Sequence, residues 1–202
     1  MPKVSSLAVW VAGIRAGLLE RDARQEYIFA YSQETGSEAQ VSLTMPVRLA
    51  SWTSRELHPI FQMNLPEGAL LEAIRRAIAK IIGEDDLSIL HVTGGNQVGR
   101  NRFSLPGDDS PSLPETSESL EELLNYPNTS ELFHELVAKY ALRSGISGVQ
   151  PKVLLNATGR GTMASSNYIV KSWGTDYPCL AANEYFCMTA AKRAALPTPE
   201  FY

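Results

Sequence analysis

With 202 residues, 44% of them hydrophobic and 20% charged, the chain has the apolar material for a buried core, and wholesale disorder is excluded. Its 18 Lys+Arg against 22 Asp+Glu leave a net charge of −4, which argues against a general nucleic-acid coat protein. Cys179 and Cys187 are too few for a disulfide framework or a self-contained zinc site. No apolar run approaches the roughly 20 residues of a membrane span, and the N-terminus lacks the basic-then-apolar pattern of a signal peptide. A reduced, cytoplasmic protein with no membrane attachment is the expectation.

In chain order, residues 7–11 (Leu-Ala-Val-Trp-Val) predict a strand ending at Ala12-Gly13, and the apolar segment 14–19 follows at hairpin spacing. Tyr27, Phe29 and Tyr31 alternate with Ile28 and Ala30; Val41, Leu43 and Met45 alternate with Ser42 and Thr44. Both patterns predict strands, the second closed by Pro46. From Pro66 the period changes: Leu70, Leu71, Ile74, Ala77, Ile78, Ile81 and Ile82 recur at three and four residues, the spacing of one helical face. Pro66 suits the opening of that helix and Gly83 its end. A shorter helix at about 85–92 stops at Gly94-Gly95, and 98–105 reads as a last strand. The first body is thus α+β, with strands largely preceding helices.

Charge marks the boundary after this body. Residues 1–106 carry 11 basic and 11 acidic groups, residues 107–135 carry eight acids and no Lys or Arg, and residues 136–202 carry seven basic against three acidic groups. The acidic stretch opens with Pro106-Gly107-Asp108-Asp109-Ser110-Pro111, which is turn chemistry. The expected organisation is therefore a first domain at 1–106, a linker at 107–117 and a second domain at 118–202, with no internal repeat.

The second domain should open with helices at about 118–125 and 129–143, the latter capped by Asn128 or Thr129 and burying Leu132, Phe133, Leu136, Val137 and Tyr140. Then come Ser144-Gly145-Ile146-Ser147-Gly148-Val149-Gln150-Pro151-Lys152, the apolar Val153-Leu154-Leu155, a turn-rich stretch, and Asn167-Tyr168-Ile169-Val170-Lys171. A helix starts at Ala182-Asn183-Glu184-Tyr185-Phe186 and runs to about Ala195. This is a glycine-bearing loop feeding a hairpin, with a lysine on the next strand and a glutamate on the next helix. Phosphate binding uses that combination: glycines let backbone N–H groups reach phosphate oxygens, a lysine supplies a point charge, and a helix carboxylate holds the lysine, as in protein kinases. The loop is neither GxxxxGK[ST] nor GxGxxG. Taken singly, each feature has an ordinary explanation: a turn, a solvated lysine, a glutamate well placed against the helix dipole. Their order together is what points to a nucleotide.

Further elements in the same register carry a resemblance. Phe61-Gln62-Met63-Asn64-Leu65-Pro66-Glu67-Gly68, Val98-Gly99 in the run leading to Pro106, the opening strands near Trp10 and Gly17, Ser147-Gly148-Val149-Gln150-Pro151-Lys152, Ile169-Val170-Lys171 and Asn183-Glu184-Tyr185 are similar, in order and separation from about residue 7 to residue 202, to the HipA family of bacterial toxin kinases. The resemblance implies an α+β fold: a β-rich N-terminal subdomain with helices, followed by a protein-kinase-like N-lobe of antiparallel sheet plus helix. It implies an ATP- and Mg²⁺-dependent serine/threonine kinase of a toxin–antitoxin system, with ATP phosphates bound by Ser147, Gly148, Val149, Gln150, Pro151, Lys152 and Lys171, and with Glu184 positioning the lysine. Relatives phosphorylate aminoacyl-tRNA synthetases and are restrained by a HipB-like helix-turn-helix antitoxin, so DNA would be reached only through that partner. They also autophosphorylate serines of the phosphate loop; of the two positions, one falls on Ser147 and the other on Gly145, which has no hydroxyl.

The family's adenine hinge, catalytic-base Asp, Asn and Mg²⁺-binding Asp belong to a C-lobe beyond residue 202. Asp176 is in the wrong place for a catalytic loop, and His58, His91 and His134 are scattered, so no catalytic residue and no metal ligand is assigned within the chain. Residues 1–202 alone are expected to lack kinase activity. Another reading is a non-catalytic interaction module that binds a HipA-type kinase or antitoxin, since in some relatives the N-terminal subdomain is a separate inhibitor. The bland alternative is an unrelated α+β binding domain with an incidental turn at 145–152. Apolar residues near Phe186, Leu196 and Phe201 are expected to be exposed and to favour self-association.

Overall fold

A computed structural model of the chain describes residues 4–78, 83, 85–95, 97–111, 118–127, 131, 132, 135, 136, 139, 152–158, 165–171 and 178–201. The architecture is mixed α/β. Strands β1 (Ser6–Val11) and β2 (Ile14–Arg21) form an antiparallel hairpin joined by Ala12-Gly13. Both turn residues have positive φ, 51° and 85°, which suits the right-handed twist of the flanking strands. β3 (Tyr27–Tyr31) pairs with β2, β4 (Trp52–Ser54) with β3, and β5 (Asn101–Ser104) with β1, all antiparallel. The resulting five-stranded sheet has the order β4-β3-β2-β1-β5. Gly17 lets β2 and β3 approach: a Cβ there would stand 2.1 Å from the Ala30 carbonyl oxygen.

One face of this sheet carries the core. Leu7, Val9, Val11, Leu19, Phe29 and Phe103 are buried on it, closed over by Leu57, by Phe61 of the one-turn helix α1 (Pro59–Gln62), and by Leu87 and Leu90 of α3 (Asp86–Thr93). The Phe61 ring lies 5.3 Å from Phe29 and 6.1 Å from Phe103 between centroids, distances typical of tilted aromatic packing. Between α1 and α3, α2 (Gly68–Ile78) sets Ile74 and Ile78 against Ile89 of α3. Asp85 caps α3 by accepting from the Ser88 N–H, and Tyr27 ties the helix to β3 by donating its hydroxyl to Asp86 at 2.9 Å.

The strand expected at 41–45 does not form. A short 3-10 turn (Ser37–Ala39) precedes it, and the Met45 N–H donates to the Ser42 carbonyl, which folds the segment into a turn. Val41 and Met45 reach the core from either side of that turn while Leu43 is almost fully exposed, so an alternating pattern arises without a strand. β4 and α1 were not expected from the sequence. The helix predicted between Pro66 and Gly83 is present as α2, with residues 79–82 outside those described.

Within the acidic stretch, β6 (Glu118–Ser119) leads into α4 (Leu120–Leu124), so the predicted helix at 118–125 begins as a short strand. Residues 131, 132, 135, 136 and 139, within the predicted 129–143 helix, are helical. β7 (Lys152–Thr158) and β8 (Ser165–Lys171) form an antiparallel hairpin, with β6 parallel to β7 on its other side. Leu136 and Ala157 are buried here with Leu120, Leu123, Leu132, Tyr168 and Val170 packed around them, a cluster that shares no residue with the first core. α5 (Leu180–Arg193) comes next, and none of its residues is buried.

Candidate functional site

The second sheet presents its chemistry where β8 ends. Tyr168 and Val170 turn towards the small core and Ile169 is exposed, the period-two alternation that fixes the register of the strand. Lys171, last in β8, pairs across the ladder with Lys152, first in β7. Cys179, with a left-handed φ of 60°, starts α5, and its carbonyl accepts the Asn183 N–H at 2.9 Å. Glu184 then lies just over one turn into the helix, and the Lys171 ammonium donates to its Oε1. Thus a strand lysine and a helix glutamate, 13 residues apart, form one ion pair.

The side chains of Lys171 and Glu184 are 35% and 36% exposed, so the pair remains in contact with solvent. An ammonium has three N–H donors. One is directed at the carboxylate, leaving the group oriented and still able to meet an anion. The arrangement can hold a cation at a fixed point on a surface, which is the requirement for contacting a phosphate. Asn183 and Cys187 flank the pair on α5, with the Cys187 sulfur 4.0 Å from Asn183 Oδ1.

Of the other residues named from the sequence, Ser147, Gly148, Val149, Gln150 and Pro151 lie outside the described residues, as do Gly145, Asp176 and His134. Lys152 is placed in the ladder opposite Lys171. His58 caps α1, its Nδ1 accepting the Ile60 N–H at 3.3 Å, and burial lowers its pKa below the usual histidine value. His91 belongs to α3 and is likewise lowered by burial, partly countered by Asp108. Among the described residues no three His, Cys, Asp or Glu side chains gather as a metal site. At the Lys171–Glu184 pair the partly exposed ammonium is a cation, which suits an anion rather than a metal ion.

Sequence reasoning passed over Trp52. Its indole Nε1 is buried with no hydrogen-bond partner among the described residues, and the Arg48 guanidinium stacks on its ring at 3.5 Å from the centroid. A tryptophan inside the polar run Ala50-Ser51-Trp52-Thr53-Ser54-Arg55 was the available signal.

A family model described as the HipA N-terminal domain matches residues 7–104, and one described as the HipA-like C-terminal domain matches residues 144–202. The chain belongs to the HipA family. A solved structure titled "N-terminal domain of HipA toxin" is 23% identical, covers 51% of this chain and 95% of its own length, and superposes with a TM-score of 0.38. No curated protein matches. No described helix is long and apolar enough to cross a membrane.

Proposed function

We propose that residues 118–202 are the N-lobe of a HipA-type, ATP-dependent serine/threonine protein kinase in a toxin–antitoxin system. The observation that carries this reading is the ion pair between Lys171 of β8 and Glu184 of α5. A strand lysine held by a helix glutamate is the arrangement by which protein kinases position a cation on ATP phosphates. Lys171 is the phosphate contact and Glu184 its positioning residue. Ser147, Gly148, Val149 and Gln150 supply loop N–H groups, Pro151 stiffens the end of the loop, Lys152 supplies a second cation, and Ser147 is the candidate autophosphorylation site. ATP, when bound, supplies the phosphoryl group; the chain's own residues bind and orient it.

Phosphoryl transfer also needs a base and metal ligands held in line with the nucleotide. In this reading they come from a C-lobe, which also supplies the Mg²⁺ site, so residues 1–202 as an isolated polypeptide bind nucleotide without turning it over. By family analogy the substrate is an aminoacyl-tRNA synthetase and the restraining partner a HipB-like antitoxin. Calorimetric titration with Mg–ATP tests the site. Lys171→Ala should weaken binding by about tenfold or more, the loss expected for one charge-assisted contact, and Glu184→Gln should weaken it less. Equal affinity of Lys171→Ala and the unsubstituted chain would overturn the reading.

One observation favours a second reading for the first domain. Its core is built wholly from residues between Val4 and Phe103, with none of the nucleotide candidates. A self-contained domain of that kind could act as a non-catalytic module on a HipA-type kinase or antitoxin, and inhibition of such a kinase by residues 1–106 added in trans would support it.

A further inference from the structure

The two edges of the five-stranded sheet are treated differently. β5, at one edge, is closed from outside, because the Phe103 N–H donates to the Gly94 carbonyl at the end of α3. β4, at the other edge, has β3 as its only partner strand, and among the described residues no other backbone hydrogen bond reaches Trp52–Ser54. An edge left this way offers unpaired N–H and C=O groups to a further strand.

Beside this edge the core is incompletely filled. A cavity of about 50 Å³ opens between β4 and α1, lined by Tyr27, Phe29, Met45, Trp52, His58 and Phe61 among others. Space of that size is several times what one water occupies, and its walls are mainly apolar. The Trp52 ring forms part of its lining, and the indole N–H itself is buried with no acceptor among the described residues. Two arginines flank the strand. Arg48 stacks on Trp52 and spends N–H groups on the Ala50 and Ser51 carbonyls, and Arg55 adjoins the other end of β4. Neither arginine meets a carboxylate among the described residues; Glu56 lines the cavity, and Asp86 accepts from the hydroxyl of Tyr27 in its wall. Leu49, in the loop entering β4, is 94% exposed.

We infer that the β4 edge docks an extended acidic segment of a partner protein. The segment adds as a sixth strand alongside Trp52–Ser54, seats one apolar side chain in the cavity, and places acidic side chains against Arg48 and Arg55. Main-chain pairing supplies affinity in this mode and the side-chain pocket supplies selectivity. The edge strand and the two arginines without a carboxylate partner among the described residues lie within residues 48–55, the cavity opens beside them, and this occupant answers all three. The site contains none of the nucleotide candidates, so its test is independent of ATP binding.

Random peptides displayed on phage are selected on the full chain, and enriched peptides are measured by fluorescence anisotropy. The expected result is a consensus of alternating apolar residues flanked by Asp or Glu. Binding should fall about tenfold with Arg48→Glu plus Arg55→Glu, the usual scale for losing paired interface charges, and should be unchanged by Lys171→Ala. Thr53→Pro should abolish binding by blocking the edge. Because that change risks the fold, the charge reversal at two exposed arginines carries the test alongside it, with circular dichroism checking both. No enriched peptide, a basic consensus, or equal binding to the charge-reversed protein each overturns the proposal.

Discussion

Lys171 and Glu184 meet where solvent still reaches them, and exposed ion pairs of this kind contribute about 0.2–1 kcal/mol. Stability is therefore a poor explanation for holding the two together, and the substitutions proposed for nucleotide binding should leave the melting temperature nearly unchanged. Tyr27 is the opposite case. Burial first, and then its hydrogen bond to Asp86, push the phenol up to about 12 from its ordinary value of 10.0. The folded state thus holds this proton more tightly than the unfolded chain. The resulting stabilisation is complete below pH 10, where both states are protonated, and is lost as pH rises towards 12 while the unfolded phenol ionises. Urea titrations across that window should show stability falling with pH, and Tyr27→Phe should flatten that part of the slope.

Among the elements, the packing of β2 against β3 hangs on one position. At Gly17 an added Cβ meets backbone rather than a yielding side chain, so Gly17→Ala must push the strands apart and should cost about 2 kcal/mol or more, read from the urea midpoint. The elements legible in the sequence are those decided locally. The β1–β2 hairpin, β3 and α3 were readable because a β-branched or aromatic run, a glycine turn and a glycine helix stop each have one local solution. The 41–45 segment misled because a turn can bury Val41 and Met45 as effectively as a strand does. β4 escaped notice as three residues, two of them polar, whose pairing is decided by β3 rather than by local preference. α1 is a single turn whose start depends on a histidine cap and Pro59. In the second domain the order of lysine strand and glutamate helix was readable, but their contact depends on how α5 lies against β8, which no local pattern encodes.

At the scale of the whole molecule, the core around Phe29 and the cluster around Leu136 share no residue among those described, and the turn-rich segment from Pro106 to Pro111 falls between them. Residues 1–106 expressed alone should therefore unfold in one cooperative thermal transition; a broad, non-cooperative melt would show that the first domain depends on the second for its stability. The second half of the chain has less to lean on. α5 is 14 residues long and has no buried residue, with Tyr185 and Phe186 more than half exposed and Phe201 folded back onto Tyr185 at 5.4 Å between ring centroids. A helix so weakly anchored takes its tilt from whichever surface comes to rest on it. Since Glu184 rides on that helix, a neighbour pressing it towards β8 keeps the lysine steadied, and one drawing it away sets the lysine loose. Under the proposed reading, affinity for a nucleotide would then answer to a touch elsewhere on the helix.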